Sequence, residues 1–285
     1  METGLLFMTK RVNNICIKSV ENTDLKKTQL SIQINLDGFS FCVQSLPEKH
    51  LIVFQSFEFE HRTPTPEAHL TEIEKIYAEN EFLGQDYKKV EVIHQNELAT
   101  VVPDELFEEH KLKDYLDHTV KVLPIDFISF DKTANTNTVY IPFVNINNFL
   151  FNIYGSFEYF HSFTKLIEIT SKEDITEVSD KIFIQVNHKN FELLAYKHNQ
   201  LQVVNKFEFQ TAEDFIYYIL FTAEQLKLNP EVFHLILMGD IEKESELYSI
   251  LYTYIRHITF FKVKALQNRE AFQSLPKHAN CILFN

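Results

Sequence analysis

Apolar and polar positions first fall into a regular pattern at Leu30. Leu30, Ile32, Ile34 and Leu36 alternate with Ser31, Gln33 and Asn35, and after Asp37-Gly38 the alternation resumes through Phe39, Phe41 and Val43. A period of two marks a strand with one buried face, and Asp-Gly between two such runs predicts a β-hairpin with a two-residue turn. Residues 1–28 are polar and mixed, with Asn13-Asn14 and Glu21-Asn22-Thr23-Asp24 as breakers, and are expected to form a lead-in arm. A third strand is expected from Leu51 to Glu60. Thr65-Pro66-Glu67 then offers an N-cap, a first-turn proline and an early acid. Leu70, Ile73, Ile76, Tyr77 and Asn80 follow at helical spacing, Gly84 ends the segment, and Lys89 to His94 reads as a short strand.

The middle of the chain is less regular. Ala99 to Pro103 looks extended, a charged helix is expected over about Asp104 to Lys121, and Thr138 to Phe143 reads as a strand closed by Pro142. The Asn-rich stretch Asp131 to Asn137 is expected as a loop or hairpin tip. Asn147 to Tyr154 and His161 to Lys172 can be helical, while Phe157 to Phe160 fits helix or strand. The polar stretch Ser171 to Ser179 is expected as a linker between an N-terminal half, 1–175, and a C-terminal half, 176–285.

Three alternating runs, Lys181 to Val186, Phe191 to Tyr196 and Leu201 to Phe209, are separated by turns at His188-Lys189-Asn190 and Asn199-Gln200. Thr211 with Asp214 predicts a capping box, and Phe215, Ile216, Ile219, Leu220, Ala223 and Leu226 form one helical stripe. Phe233 to Met238 is a continuous apolar run of the kind buried on both faces. A helix carrying Leu247, Ile250, Leu251, Tyr254, Ile255 and Ile258 and a last strand, Thr259 to Lys264, follow.

This order has been met before. Ile32-Gln33-Ile34-Asn35 matches Ile184-Gln185-Val186-Asn187, Phe57-Glu58-Phe59-Glu60 matches Phe207-Glu208-Phe209-Gln210, and Val90 to Ile93 matches Leu235 to Met238. Phe57 to Glu60 and Phe207 to Gln210 are each followed by a Thr-capped helix. The offset drifts slowly from 152 to 145 residues, as insertions and deletions in a duplicated domain would make it.

Composition narrows the chemistry. A net charge of -13 works against a surface that tracks phosphate backbones, so nucleic acid is not expected as a partner. Cys16, Cys42 and Cys281 are widely spaced, which suits a reducing compartment. Residues 1–10 lack the form of a leader, and the apolar run Tyr217 to Phe221 is too short to span a bilayer, so a cytoplasmic protein without membrane insertion is expected. The 5 glycines, where average usage would give about 20, leave few loops able to wrap a phosphate.

Two copies of three antiparallel strands, a helix, a strand, a helix and a strand resemble the actin-like ATPase superfamily. That likeness implies an α/β fold of duplicated ribonuclease-H-like domains, each a mixed five-stranded sheet flanked by helices. Ala99-Thr100-Val101-Val102-Pro103 before a helix and Val139-Tyr140-Ile141-Pro142 after it are similar to a bacterial family of that fold with no assigned activity. In active members of the superfamily each hairpin turn carries an Asp-x-Gly type loop that holds phosphate and metal, and paired glycines follow the strand equivalent to Leu235 to Met238. Here the first turn has Asp37-Gly38, the second has Asn187-His188-Lys189-Asn190, and a single Gly239 precedes Asp240.

Other constellations are thin. Glu91-x-x-His94 and Glu158-x-x-His161 have the spacing of paired di-iron ligands, but that spacing converges only on helices, and Lys89 to His94 reads as strand; no metal is expected. His50, His61 and His69 lack metal-site spacing and are expected at the surface. A two-metal nuclease needs clustered carboxylates, and Asp37 is the only strand-associated candidate in the first half. Two readings follow. In the first, the protein is a non-catalytic actin-like binder of another protein, without cofactor, using exposed aromatics such as Tyr217, Tyr218 and Phe221. In the second, it is a nucleotide binder or weak ATPase holding Mg-ATP in a cleft lipped by Asp37, Gly38, Lys189, Asn190 and Gly239.

Overall fold

The computed structural model describes residues 9–46, 48–60, 63, 65–173, 180–263, 272 and 274–284. The chain divides into two compact units, Met1–Ser162 and Phe163–Asn285. Part of the expected linker, residues 174–179, lies outside the described residues, as does His61.

In the first unit, β2 (Thr28–Asn35), β3 (Gly38–Ser45) and β4 (Leu51–Phe59) run antiparallel, and β5 (Lys89–Gln95) and β9 (Glu158–His161) extend the sheet in parallel. The residues expected as an arm instead contain β1 (Thr9–Cys16), which pairs antiparallel with β4 and makes the sheet six-stranded, in the order β1-β4-β3-β2-β5-β9. Its sequence can be polar because an edge strand needs only backbone pairing, and five of its eight residues are exposed. Helices α1 (Pro66–Ala78) and α3 (Val144–Tyr154) cover the sheet, with Ile73, Ile76, Ile146 and Leu150 buried against Leu30, Ile32, Phe39 and Phe57. Thr65 caps α1 by accepting from the Ala68 N–H, as the sequence predicts.

A three-stranded sheet, in the order β6-β8-β7, is built from β6 (Ala99–Pro103), β7 (Ser129–Lys132) and β8 (Thr136–Tyr140). The tip expected within Asp131 to Asn137 is residues 133–135. The expected charged helix is reduced to 3-10 turns and α2 (Leu112–Asp117), of which only Leu116 is buried. Buried polar bonds join the two sheets of this unit: Asp131 accepts from the Tyr140 hydroxyl at 2.9 Å and from the His161 N–H at 2.7 Å.

In the second unit, β10 (Lys181–Val186), β11 (Asn190–Lys197) and β12 (Gln200–Glu208) form the antiparallel meander. Strands β13 (His234–Gly239) and β14 (His257–Phe260) continue in parallel, giving the order β12-β11-β10-β13-β14. The second hairpin turns on His198 and Asn199, both at positive φ (52° and 60°), where a type I′ connection needs them. Helix α4 (Ser162–Thr170) opens the unit, and α5 (Ala212–Gln225) and α6 (Glu246–Tyr254) pack against one another. Thr211 and Asp214 form the predicted reciprocal capping box. The chain ends in α7 (Cys281–Phe284), all four residues buried. No helix among the described residues is long and apolar enough to cross a membrane.

The two units repeat in register. Ile32 lies beside Val92 as Ile184 lies beside Leu237, so the Val90–Ile93 to Leu235–Met238 match holds in backbone pairing. Phe59 N–H donates to the Asp37 carbonyl, and Phe209 N–H donates to the Lys189 carbonyl, in the same place in each unit.

Candidate functional site

Each unit carries its hairpin turn at the end of its first core strand. In the first, Asn35 pairs with Gly38, so the turn residues are Leu36 and Asp37, and Gly38 opens β3. The expectation of an Asp37-Gly38 turn is therefore off by one residue, and the glycine is needed for a different reason. Its φ is not positive, but a Cβ there would lie 2.7 Å from the Phe57 carbonyl oxygen. What requires glycine is the close approach of β4. The turn's carbonyls are engaged: Leu36 O accepts from the Thr63 N–H at 3.2 Å and Asp37 O from the Phe59 N–H at 2.9 Å.

The second turn is His188-Lys189, closed by a 2.8 Å bond from Asn187 N–H to the Asn190 carbonyl. The side chains of the closing pair also bond to each other, Asn187 Nδ2 donating to Asn190 Oδ1 at 2.9 Å. Superposing the turns places Lys189 where the first has Asp37, and Asn190 where it has Gly38. One acid thus has a cation as its counterpart, and Lys189 is exposed while Asp37 is half-buried.

Gly239 ends β13 beside Val186. It has φ +81°, and a Cβ would fall 2.1 Å from the Val186 carbonyl oxygen and 2.5 Å from Gln185 Nε2, so both conformation and space demand glycine. Its N–H donates to the His278 carbonyl at 2.8 Å, and His278 Nε2 in turn bonds the Ile241 carbonyl at 2.6 Å. The chain's own C-terminal segment has taken the glycine's donor. Beside it, Gln185 Oε1 is buried with no partner among the described residues, whereas its counterpart Gln33 donates to Gln95 at 2.8 Å.

Register equates Gly239 with His94, and the caps Thr65 and Thr211 equate His69 with Phe215. His94 is wholly buried; its Nδ1 accepts from the Phe143 N–H at 3.4 Å and its Nε2 donates to Asn147 Oδ1 at 3.1 Å, which fixes a neutral ring. Burial pushes its pKa down to about 3. His69, expected at the surface, is also buried, because it lies one turn into α1 on the inward face. Its ring stands edge-on to Phe59 and Phe143, one nitrogen bonds the Asn35 carbonyl, and Nε2 has no partner among the described residues. Burial lowers its pKa to about 4. The sequence signal for this pair was position on an apolar stripe, which spacing rules for metal ligands do not test.

The two Glu-x-x-His segments are strands and lie side by side, Glu91 next to Glu158 and His94 next to His161. Lys89 bridges the acids, at 3.7 Å from Glu91 and 2.7 Å from Glu158. No group of three or more His, Cys, Asp or Glu side chains able to hold a metal occurs among the described residues. Cys42 and Cys281 are buried, with their thiol pKa values pushed up by burial, which keeps them protonated. Of the aromatic candidates on α5, Tyr217 is 60% and Phe221 45% exposed, their rings stacked at 5.9 Å. Tyr218 is half-buried and stacks on Phe207 of β12 at 4.8 Å.

Two sheets of matching strand order, each with a hairpin at the strand end, define the actin-like ATPase fold. A Bacteroides thetaiotaomicron protein described as having that fold and unknown function is similar over 90% of this chain and 98% of its own, with TM-score 0.74 and 24% identity. The PilM-PilN type IV pilus biogenesis complex includes a chain similar over 82% of this one and 88% of its own, with TM-score 0.53 and 10% identity. No curated protein matches by sequence. Residues 17–258 match the family described as "Protein of unknown function (DUF3822)", and the chain belongs to that family.

Proposed function

We propose that the protein is a binding module, an actin-like fold that has given up nucleotide chemistry and acts in the cytoplasm by holding another protein. The observation that carries this reading is at Gly239, whose N–H, the kind of donor a phosphate would need, is already taken by the His278 carbonyl. Around it, the first turn's carbonyls accept from Thr63 and Phe59, and the Asn187 and Asn190 side chains that close the second turn bond each other. A phosphate needs free N–H groups converging on it, and the acid expected to engage a metal has Lys189 as its counterpart. Exposed rings at Tyr217 and Phe221 supply the kind of surface that partners favour. The pilus-biogenesis neighbour, itself part of a complex, illustrates that this fold is compatible with such a role.

A thermal-shift titration with Mg-ATP to millimolar concentration tests the reading. The expected result is an unchanged melting temperature. A saturable rise, worth about 2.7 kcal/mol at 100 times the dissociation constant, that disappears in Asp37→Ala and Lys189→Ala would overturn it in favour of nucleotide binding.

A further inference from the structure

We infer that the outer edge of β12, which no strand covers among the described residues, is a docking site for an extended segment of a partner protein, added antiparallel to the sheet with apolar side chains turned toward α5. This deepens the binding-module reading and rests on it.

The first unit supplies the template. Its strand β4 corresponds to β12, and β1 is already seated on the outer edge of β4, with Thr9 opposite Phe59, Lys10 opposite Glu58 and Arg11 opposite Phe57. The covered strand has seven of nine residues buried, whereas none of the nine in β12 is. Among the described residues β12 ends its sheet, with β11 as its only neighbour. Because Phe209 N–H points at β11 by donating to Lys189, strand alternation turns the Val204 and Lys206 N–H groups outward. The Lys206 N–H is met by the side-chain oxygen of its own neighbour Asn205, at 2.8 Å. That local bond blunts the edge and is readily exchanged for a strand partner.

The helix above each edge differs in the same sense. β1 reaches α1 through a polar group, the Thr9 hydroxyl donating to buried Glu72, which pairs with Lys75 at 2.6 Å, and the Arg11 guanidinium lies over Phe57 of β4 at 5.2 Å. Aligned by their caps, Thr71, Glu72 and Lys75 of α1 correspond to Tyr217, Tyr218 and Phe221 of α5. Where the chain provides its own covering strand, the helix meets it with polar side chains. Where the edge is open, the helix carries an aromatic rail that runs from Phe207 through Tyr218 and Tyr217 to Phe221. An added strand would place side chains at the positions of Thr9 and Arg11 against that rail, so its chemistry there is apolar. Backbone bonds would give affinity and the rail would select the side chains.

The probe follows from the template: a fluorescein-labelled peptide of residues 9–16 carrying Thr9→Val, Arg11→Val and Cys16→Ser, titrated with the full chain and read by anisotropy and by amide exchange. The comparison peptide carries Cys16→Ser alone. Expected are saturable binding at least tenfold tighter for the valine peptide, new protection confined to β12, and at least a tenfold loss both in Val204→Pro and in Tyr217→Ser with Phe221→Ser. The double serine variant changes only exposed rings, so it decides the matter if Val204→Pro does not fold. No saturable binding, or binding indifferent to these variants, would overturn the site while leaving the binding-module reading to the nucleotide titration. Concentration-dependent dimerisation by sedimentation, abolished by Val204→Pro, would overturn the assignment to a partner by making the occupant a second copy.

Discussion

The first unit is closed where the second is open. Both are built on the same strand order and the same hairpin, yet β4 is sealed by β1 while β12 ends its sheet, and the helix rows above them are polar in one case and aromatic in the other. At the strand ends the contrast reverses. The first unit fills its core there with His69 and His94, and the second has Phe215 and the bare backbone of Gly239, covered by residues near His278. A duplicated fold thus keeps its hydrogen-bonded frame and diverges in what sits at the edges and ends of the sheet. Those are the places where side chains are not dictated by the ladder.

The largest effect expected from breaking the comparison is at Gly239. Gly239→Val adds a positive-φ penalty to a clash with the Val186 carbonyl and should cost about 4 kcal/mol, read by urea unfolding. Gly38→Ala meets the Phe57 carbonyl and the movable Asn35 side-chain oxygen, without conformational strain, and should cost about half as much. Equal losses would deny that the two glycines are required for different reasons.

Acid should act on the first unit next. The folded-state pKa values of His69 and His94 lie below the unfolded value, so their contribution is full above about pH 6.5 and is lost as pH falls toward about 4 and about 3. Between pH 7 and 5 each should remove about 2 kcal/mol. Amide exchange resolved along the chain should show this fall in α1 and β5 and a smaller one in the second unit, where burial lowers the pKa of His278 and His234. A His94→Gln variant should flatten the profile of the first unit.

The matched glutamines give a smaller contrast. Gln33→Met removes the donor to Gln95 and should cost about 1 kcal/mol, while Gln185→Met removes an acceptor that has no partner among the described residues and should leave stability unchanged or raised. Smallest are the caps: Thr65→Ala and Thr211→Ala should each cost about 1 kcal/mol, the latter more because Asp214 also loses its place in a capping box.

Much of the frame was legible in the sequence because alternation, capping residues and a repeated order are local signals that the sheet obeys. The matches at Ile32–Asn35 and Ile184–Asn187 became identical registers. Three things were not legible. Strand β1 is polar because it lies at an edge, so it offers no alternating pattern to find. Residues 104–121 are charged enough for a helix but bury little, and only α2 forms. The spacing of His50, His61 and His69 tests only for a metal motif and is blind to the place of His69 on the α1 face that buries Ile73 and Ile76. At the candidate site the structure puts Asp37 and Lys189 in the turns and Gly38, Asn190 and Gly239 at strand ends. The sequence did not reveal which of their backbone groups are bonded within the chain, since Thr63, Phe59 and His278 come from other parts of it.

The central claim is that the two turns and Gly239 hold themselves rather than a ligand. Amide exchange of the full chain with and without millimolar Mg-ATP tests it at those atoms. The account predicts no change in protection at Asp37 and Gly38, at His188 to Asn190, or at Gly239. Nucleotide-dependent protection at any of them would contradict it.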